Sequence, residues 1–240
     1  LLASTFDDAL VQEVGNAFGL EMLHAGVGEI YGTGAGIHRS VYGGRNWEYF
    51  SEDGYISGKI LAAEVRGLQS KGAIVNIKHL VLNDQEIYRC GVTTWANEQS
   101  IREIYLKAFE AAVTEGKANG VMSSLNRIGA TWAGKHKGLL TEVLRNEWGF
   151  VGLVETDAAT GLYMREGGAR ANAVIAGNDL WLRGTNNASE LWGDYKSNAT
   201  VCAALRESCH RILYTVLHSS AMNGFNSSTR LVYVAPWYYG

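Results

Sequence analysis

The sequence has little cysteine, little net charge and no long apolar run, and each shortage excludes a class of protein. Three cysteines, an odd number without a CxxC pair, support neither a disulfide framework nor a zinc knuckle. A formal net charge of -3 leaves no basic stripe of the kind that nucleic-acid binding requires. No apolar run reaches the roughly 18 residues of a membrane span, and Asp7 and Asp8 stand where a secretory signal would be basic. We therefore expect a soluble chain with neither nucleic acid nor membrane as a partner, and the cytoplasm is the favoured location.

Proline is also scarce: Pro236 is the only one, whereas about 5% of residues are proline in ordinary proteins. Glycine, in contrast, occurs 29 times among 240 residues. The chain is long enough for one large domain with a substantial core, although length alone does not separate a barrel from two smaller domains. One domain is the starting hypothesis.

Apolar residues follow two different periods along the chain. The clearest helix spans Asn97 to Glu115, and Asn97 can cap its first turn. Its predicted buried stripe consists of Ile101, Ile104, Tyr105, Ala108, Phe109 and Ala112. Further helices are predicted at about 56–71, 137–147 and 198–218, and short β-branched strands at about 27–31, 73–80, 120–124, 151–156 and 178–182. Alternating strands and helices without long linkers predict a parallel α/β fold.

Polar residues at the predicted strand ends favour a barrel over an open doubly wound sheet. Lys78-His79, Ser123-Ser124 and Thr156-Asp157 all end strands, and both folds place active sites there. The chain contains neither a GxGxxG after its first strand nor a GxxxxGK[ST] anywhere. Because the commonest phosphate-binding loops of open sheets are absent, the barrel is the preferred interpretation.

Asp157 is the candidate nucleophile among these residues. It ends an apolar strand and precedes the small residues Ala158 and Ala159, which would leave its carboxylate facing a cavity. Displacement at an anomeric carbon needs such a carboxylate, with a second carboxyl about 5 Å away. Read from the residues alone, a strand-end Asp is more often a helix cap or a loop-bonding residue, so both interpretations stay open.

Other residues admit a sugar-binding or a structural interpretation. Lys78 and His79 could donate hydrogen bonds to adjacent hydroxyls, or they could serve only packing and backbone bonding. Arg45, Arg89 and Glu86 also fall at strand ends or in the following loops. The acidic pairs Asp7-Asp8 and Glu52-Asp53 lack the accompanying ligands of a metal site and are interpreted as surface or capping charges.

Several strings resemble family-3 glycoside hydrolases, and together they cover nearly the whole chain up to about Asn226. The most specific is Gly43–Asp53, GGRNWEYFSED. The others keep the family order: Ile37–Ser40, Lys78-His79, Asn83–Glu86, Trp95–Gln99, Ile101–Leu106, Val121–Ser124, Leu144–Phe150 and Thr156-Asp157.

The resemblance implies a (β/α) TIM-type barrel that cleaves terminal β-linked glucose from oligosaccharides or β-glucosides by double displacement. Asp157 would attack the anomeric carbon. Matches to family positions that bind the terminal sugar are Arg45, Lys78, His79 and Arg89, with Met122 lining the same subsite. No metal or organic cofactor is implied.

The resemblance also implies parts that these residues do not supply. Family barrels begin with an additional segment that contributes a sugar-binding Asp, so we expect the barrel to be incomplete at its N-terminal end. The general acid/base, a Glu in similar relatives, belongs to a separate α/β sandwich domain, which we expect as a partner. Residues 1–225 are assigned to the partial barrel and residues 226–240 to a C-terminal extension.

Departures from the family pattern keep other functions open. Prolines usual near Thr33 and at Val41, Gly54 and Ala108 are absent, which predicts less rigid loops. Leu125 and Ala158 occupy positions that are commonly aromatic. A barrel fragment that binds sugar without turnover, or a related β-xylosidase or β-N-acetylglucosaminidase, are the alternatives, although the Lys-His-Phe-Pro-Gly-His stretch of single-domain hexosaminidases is absent.

Overall fold

The structure, a computed structural model, describes residues 1–158, 169–182 and 197–223. The α-helices are α1 (Asp8–Ala25), α2 (Gly54–Gln69), α3 (Glu98–Ser100), α4 (Lys107–Thr114), α5 (Ala169–Ala176) and α6 (Ala199–Leu217). Two π-helical segments lie at Ile101–Tyr105 and Gly138–Glu147, and 3-10 turns lie at Leu2–Thr5, Asn46–Glu48, Ala133–Lys135 and Ser220–Asn223. The strands are β1 (Glu29–Ile30), β2 (Ile74–Leu80), β3 (Thr93–Thr94), β4 (Gly120–Ser123), β5 (Arg127–Ile128), β6 (Thr131–Trp132) and β7 (Leu153–Thr156).

The main sheet is parallel, and its strand order β1-β2-β4-β7 follows the order of the chain. An isolated parallel bridge joins Glu155 of β7 to Leu180, where a full strand was expected at 178–182. Such in-order winding is that of a (β/α) barrel, whereas doubly wound sheets reverse direction at a switch point. The parallel α/β prediction is confirmed, and the strands of the described ranges form an arc that does not close on itself.

Helix α1 was not predicted, and its packing explains why. Its buried positions Val11, Gly15, Gly19 and Met22 include two glycines, so the apolar stripe is interrupted in the sequence. The glycines allow close approach to α2: a Cβ at Gly15 would lie 2.7 Å from the carbonyl oxygen of Glu64. The close approach of the α1 and α2 backbones therefore determines how α1 packs. A pattern of hydrophobic residues does not reveal such an approach.

The helix predicted at 97–116 contains a π-helical turn that changes which residues are buried. Asn97 caps it as expected, because its Oδ1 accepts the Ser100 amide at 2.8 Å. The extra residue of the π turn rotates the preceding face outward, so Ile104 is 43% exposed and Leu106 is buried instead. The predicted stripe is therefore wrong at Ile104, while its later members Ala108, Phe109 and Ala112 are buried as expected.

Acidic residues cap the first two long helices. The Asp7 carboxylate accepts the Leu10 amide at 3.0 Å at the start of α1. The Asp53 carboxylate accepts the Ile56 amide at 2.7 Å at the start of α2. The capping interpretation of these two residues is confirmed.

A buried ion-pair network ties the π-helical segment Gly138–Glu147 and α6 to the end of the sheet. The Asp179 carboxylate accepts hydrogen bonds from Arg145 Nη2 at 2.9 Å and from Arg211 Nη2 at 2.7 Å. It also accepts the Val154 amide of β7 at 2.9 Å. Burial lowers the pKa of Arg145 to about 10, partly offset by Asp179, so the guanidinium is charged at neutral pH. This network fastens the outer layer to β7.

Candidate active site

The carboxyl ends of β2 and β7 bring His79 and Asp157 together. Asp157 directly follows β7, and its amide donates to the Ser123 carbonyl at the end of β4 at 3.0 Å, which fixes its backbone. His79 Nε2 lies 3.5 Å from Asp157 Oδ2, and both residues are buried. Strand β4 lies between β2 and β7 and pairs with both in parallel, so the two predicted site residues meet at the carboxyl end of the sheet.

The two oxygens of the Asp157 carboxylate have different surroundings. Oδ1 accepts the Ala158 amide at 2.6 Å. Oδ2 is buried and accepts no hydrogen bond from any residue that the structure describes. A buried acceptor without a donor is costly and rare in native proteins. This oxygen is therefore a place where a ligand atom would find an unused carboxylate.

His79 lies beside this oxygen as a neutral imidazole. Burial lowers its pKa well below the usual value, and the nearby charges of Arg45, Lys78 and Arg89 lower it further. Its Nε2 is 3.3 Å from Arg45 Nη1 as well as 3.5 Å from Asp157 Oδ2. A neutral ring carries one N–H, so Nε2 serves only one of these neighbours at a time.

Glu48 organises the cationic side of the site, although the sequence analysis assigned it no role. The 3-10 turn Asn46–Glu48 brings its Oε1 into an ion pair with Arg45 Nε. Its Oε2 lies 3.3 Å from Lys78 Nζ. One carboxylate thus holds two of the predicted sugar-binding cations, and the i, i+3 spacing from Arg45 in the Gly43–Asp53 string was the available signal.

Arg89 joins the group through a second carboxylate. Glu86 Oε2 accepts from Arg89 Nη1 at 3.0 Å, and Glu86 Oε1 lies 4.0 Å from Arg45 Nη1. Asn83 Nδ2 donates to the same Oε1 at 3.3 Å. The structure therefore connects Arg45, Lys78, His79 and Asp157 closely, and brings Arg89 to them only by way of Glu86.

Met122 and Glu155 form a layer beneath Asp157. They are register partners on β4 and β7, and both side chains are buried. Neither oxygen of Glu155 has a hydrogen-bond partner among the described residues. Burial, with the negative charges of Glu29 and Asp157, raises the pKa of Glu155 to about 8, which Lys78 partly offsets. Glu155 is thus a neutral carboxylic acid at pH 7.

Two carboxyls of the described residues, Glu155 and Glu86, lack the position of an acid partner for Asp157. Glu155 has the raised pKa of a general acid, but it is fully buried and cannot reach a leaving group at the strand ends. Glu86 is engaged with Arg89 and Asn83 and lies toward Arg45. In the ranges 1–158, 169–182 and 197–223, no three His, Cys, Asp or Glu side chains are grouped as metal ligands would be.

The tryptophans divide between core and surface. Trp132 is fully buried against Leu125, and its Nε1 donates to the Ser124 carbonyl at 2.9 Å, so it is a packing residue. Trp47 and Trp95 are 82% and 78% exposed.

Comparison with known proteins bears on this arrangement. The sequence profile of the glycosyl hydrolase family 3 N-terminal domain matches residues 1–216. The chain belongs to glycosyl hydrolase family 3. The resemblance seen in the sequence is thereby confirmed. The strand-end location of the candidate site is the one expected for a family-3 barrel.

Relatives within family 3 are similar along most of this chain. A β-glucosidase of Ruminococcus albus is 35% identical over 229 residues, 92% of this chain and 24% of the relative. The thermostable β-glucosidase B of Acetivibrio thermocellus is 42% identical over 156 residues, 65% of this chain and 21% of the relative. The chain therefore spans about a quarter of the length of these curated relatives.

A solved family-3 structure has the same fold. The β-glucosidase 3B of Thermotoga neapolitana, solved in complex with α-D-glucose, matches with a TM-score of 0.87 at 35% identity. The match covers 95% of this chain and 32% of that one. In the described part of this chain, no helix has the length and apolar character needed to cross a membrane.

Proposed function

We propose that this chain supplies the nucleophile and the sugar-binding wall of a retaining β-glucosidase-type glycoside hydrolase. The observation that carries the proposal is the Asp157 carboxylate. It is buried, it is fixed by the Ser123 carbonyl and the Ala158 amide, and its Oδ2 lies beside neutral His79 with no hydrogen-bond donor among the described residues. A nucleophile must be held rigidly and must keep one lone pair free for the anomeric carbon.

The reaction would proceed as two displacements. Asp157 Oδ2 bonds to the anomeric carbon as the glycosidic C–O bond breaks, and the leaving oxygen takes a proton from a general acid. The same acid, now a base, removes a proton from water, which attacks the anomeric carbon and releases Asp157. Because Glu155 and Glu86 are both unsuited to this role, we assign the acid/base to an α/β sandwich partner domain.

The cationic group would hold the sugar's hydroxyls. Lys78 and Arg45 are oriented by Glu48, so their remaining N–H groups are fixed donors. His79 can donate from Nε2 once a sugar hydroxyl takes the place of one of its present neighbours. Arg89 would act at the edge of the pocket, and Met122 would line its apolar side.

Leaving-group chemistry provides a sharp test. A 2,4-dinitrophenyl β-glucoside needs no proton on its leaving oxygen, so Asp157 should be glycosylated even without an acid partner. We expect the chain alone to gain one 2-deoxy-2-fluoroglucosyl group on Asp157 when the 2-deoxy-2-fluoro analogue is used, and to turn over ordinary aryl β-glucosides only when joined to the remaining segments of a relative.

Two outcomes would change the proposal. If no glycosyl adduct formed on Asp157 in either form, the chain would be a sugar-binding barrel without turnover. If aryl β-xylosides or β-N-acetylglucosaminides were cleaved in preference to β-glucosides, the mechanism would stand and the substrate assignment would be wrong. Robust turnover by the chain alone would show an internal acid.

A further inference from the structure

A cavity whose lining includes neither Asp157 nor His79 borders the candidate site at Glu86, and we call it the second cavity. It has a volume of about 690 Å³ and is formed by the loops 39–44 and 82–94 together with Asn126. This volume is within the usual range of about 300–1,000 Å³ for small-molecule sites. Glu86 borders both places: its oxygens contact Arg89, Arg45 and the cavity-lining Asn83, while its Cγ lies close to Gly44.

The cavity holds hydrogen-bonding groups that the protein leaves unused. Asp84 is half-buried and has no hydrogen bond or ion pair in the described chain. Burial raises the pKa of the Asp84 carboxyl to about 6, partly offset by Arg39, so it is ionised at neutral pH. Arg39 is held through Nε by Tyr105 at 2.7 Å, and its two terminal nitrogens donate to no described residue.

Two buried amides add further acceptors. Asn83 and Asn126 line the cavity, and the Oδ1 of each is buried without a partner among residues that the structure describes. The Asn126 amide nitrogen is anchored by the Val81 carbonyl at 3.1 Å, which leaves Oδ1 as the free end. Buried amide oxygens normally find a donor, so two of them at one cavity indicate a donor-rich occupant.

The charges decide which kind of occupant fits. Arg39 and Asp84 balance each other, and Glu86 is already neutralised by Arg89, so the cavity has no charge surplus to attract an ion. Carboxylate and amide acceptors opposite a guanidinium suit a neutral ligand that both donates and accepts at many points. Tyr42, 91% exposed, lies at the cavity and offers an aromatic face. We propose that this cavity binds a second carbohydrate ring, at a site separate from Asp157.

This proposal does not rest on the proposed function, because it requires no chemistry at Asp157. The experiment is a titration of the ¹⁵N-labelled chain with cellobiose, following the side-chain amide signals of Asn83 and Asn126 by NMR. We expect saturable shifts of both signals. The Asp84→Asn variant should weaken this binding at least about tenfold, because a charge-assisted hydrogen bond is lost. Asp8→Asn, an exposed carboxylate change on α1, is the matched control and should bind as the unmodified chain does.

Two further variants keep the test decisive. Tyr42→Ala changes an exposed ring and leaves the core intact, so it should weaken cellobiose binding severalfold even if Asp84→Asn folds poorly. Asp157→Asn should leave the Asn83 and Asn126 shifts unchanged, which separates this cavity from the candidate active site. The proposal is wrong if cellobiose shifts neither amide, if Asp84→Asn and Tyr42→Ala both bind normally, or if glycine displaces cellobiose, which would indicate a zwitterion site.

Discussion

Asp157 and Asp179 are two buried aspartates near opposite ends of the same short stretch of sheet, and their surroundings differ sharply. Asp179 accepts from two guanidinium groups and a backbone amide, so both of its oxygens are engaged. Among the residues that the structure describes, Asp157 accepts only the Ala158 amide, and its second oxygen lies beside a neutral imidazole. A carboxylate whose oxygens all accept hydrogen bonds stabilises the fold, whereas one with an oxygen that accepts none is available for chemistry.

The largest effect on activity is expected at Asp157, the carboxylate with a free oxygen among the described residues. In the complete enzyme, Asp157→Asn should lower aryl β-glucoside hydrolysis by about 10³-fold or more, because an amide oxygen cannot form the covalent intermediate. Steady-state kinetics measure this, with Asp8→Asn as the control. Activity close to that of the unmodified enzyme would show that Asp157 is not the nucleophile and that it does not differ in role from Asp179.

Asp179→Asn should produce the opposite kind of loss. It leaves the partly buried guanidinium groups of Arg145 and Arg211 without their counter-charge, and breaking a buried pair costs up to about 3–5 kcal/mol of unfolding free energy. Urea denaturation of the chain measures it. If the variant instead unfolded like the unmodified chain, the contacts of Asp179 with Arg145 and Arg211 would not stabilise the fold.

Lys78→Ala tests whether the cations belong with the reactive carboxylate. In the complete enzyme it should raise KM and lower kcat/KM by about 10²-fold, because a charge-assisted hydrogen bond worth about 1.5–3 kcal/mol is lost. Lys59→Ala, which removes a surface lysine that pairs with Glu115 and lies over the Tyr55 ring, is the matched control. A large fall in Tm with unchanged kcat/KM of the folded fraction would make Lys78 structural.

Glu155 sharpens the comparison through pH. Its pKa is raised to about 8 from an ordinary value of 4.5, so the folded chain holds a proton that the unfolded chain has released. The stability it contributes is fully present below pH 4.5 and is lost as pH rises to 8. As pH rises from 5 to 8.5, the free energy of unfolding of Glu155→Gln should therefore increase by roughly 2–4 kcal/mol relative to that of the unmodified chain.

Urea denaturation at the two pH values measures this difference. The control is Glu13→Gln, which changes an exposed carboxylate on α1. Equal pH dependence of the Glu155→Gln variant and the unmodified chain would mean that Glu155 is ionised in the fold. Because Glu29, Glu64 and Asp84 also have raised pKa values, only the difference between variant and unmodified chain is informative.

Much of this arrangement is predictable from the sequence, because strand ends are marked by short, local patterns. β-branched runs followed by polar residues located Lys78, His79 and Asp157 at the correct edge of the sheet. Helix α1 escaped prediction since its contacts depend on glycines. Glu48 escaped because the sequence shows that a carboxylate follows Arg45, but not that a 3-10 turn directs it to Lys78 as well.

The second cavity was beyond prediction for a different reason. Its walls come from two loops far apart in the chain, and their backbone includes left-handed conformations at Leu82 and Tyr88, φ 67° and 56°. Such conformations are rare for residues other than glycine, so no local pattern indicates them. In the same way, a buried oxygen can be recognised as lacking a hydrogen-bond donor only once the positions of the surrounding donors in the fold are known.

The order of the strands in the main sheet bears on how the chain acquires its structure. Each strand hydrogen-bonds to the strand made before it, and the intervening helix is complete by then. Synthesis proceeds at about 5–20 residues per second, which is slow compared with helix formation. Strands β2, β4 and β7 can therefore be added to β1 in chain order on the ribosome, one βα unit at a time. During this growth the newest strand is an unpaired edge, and an unpaired edge can pair with a strand of a neighbouring chain.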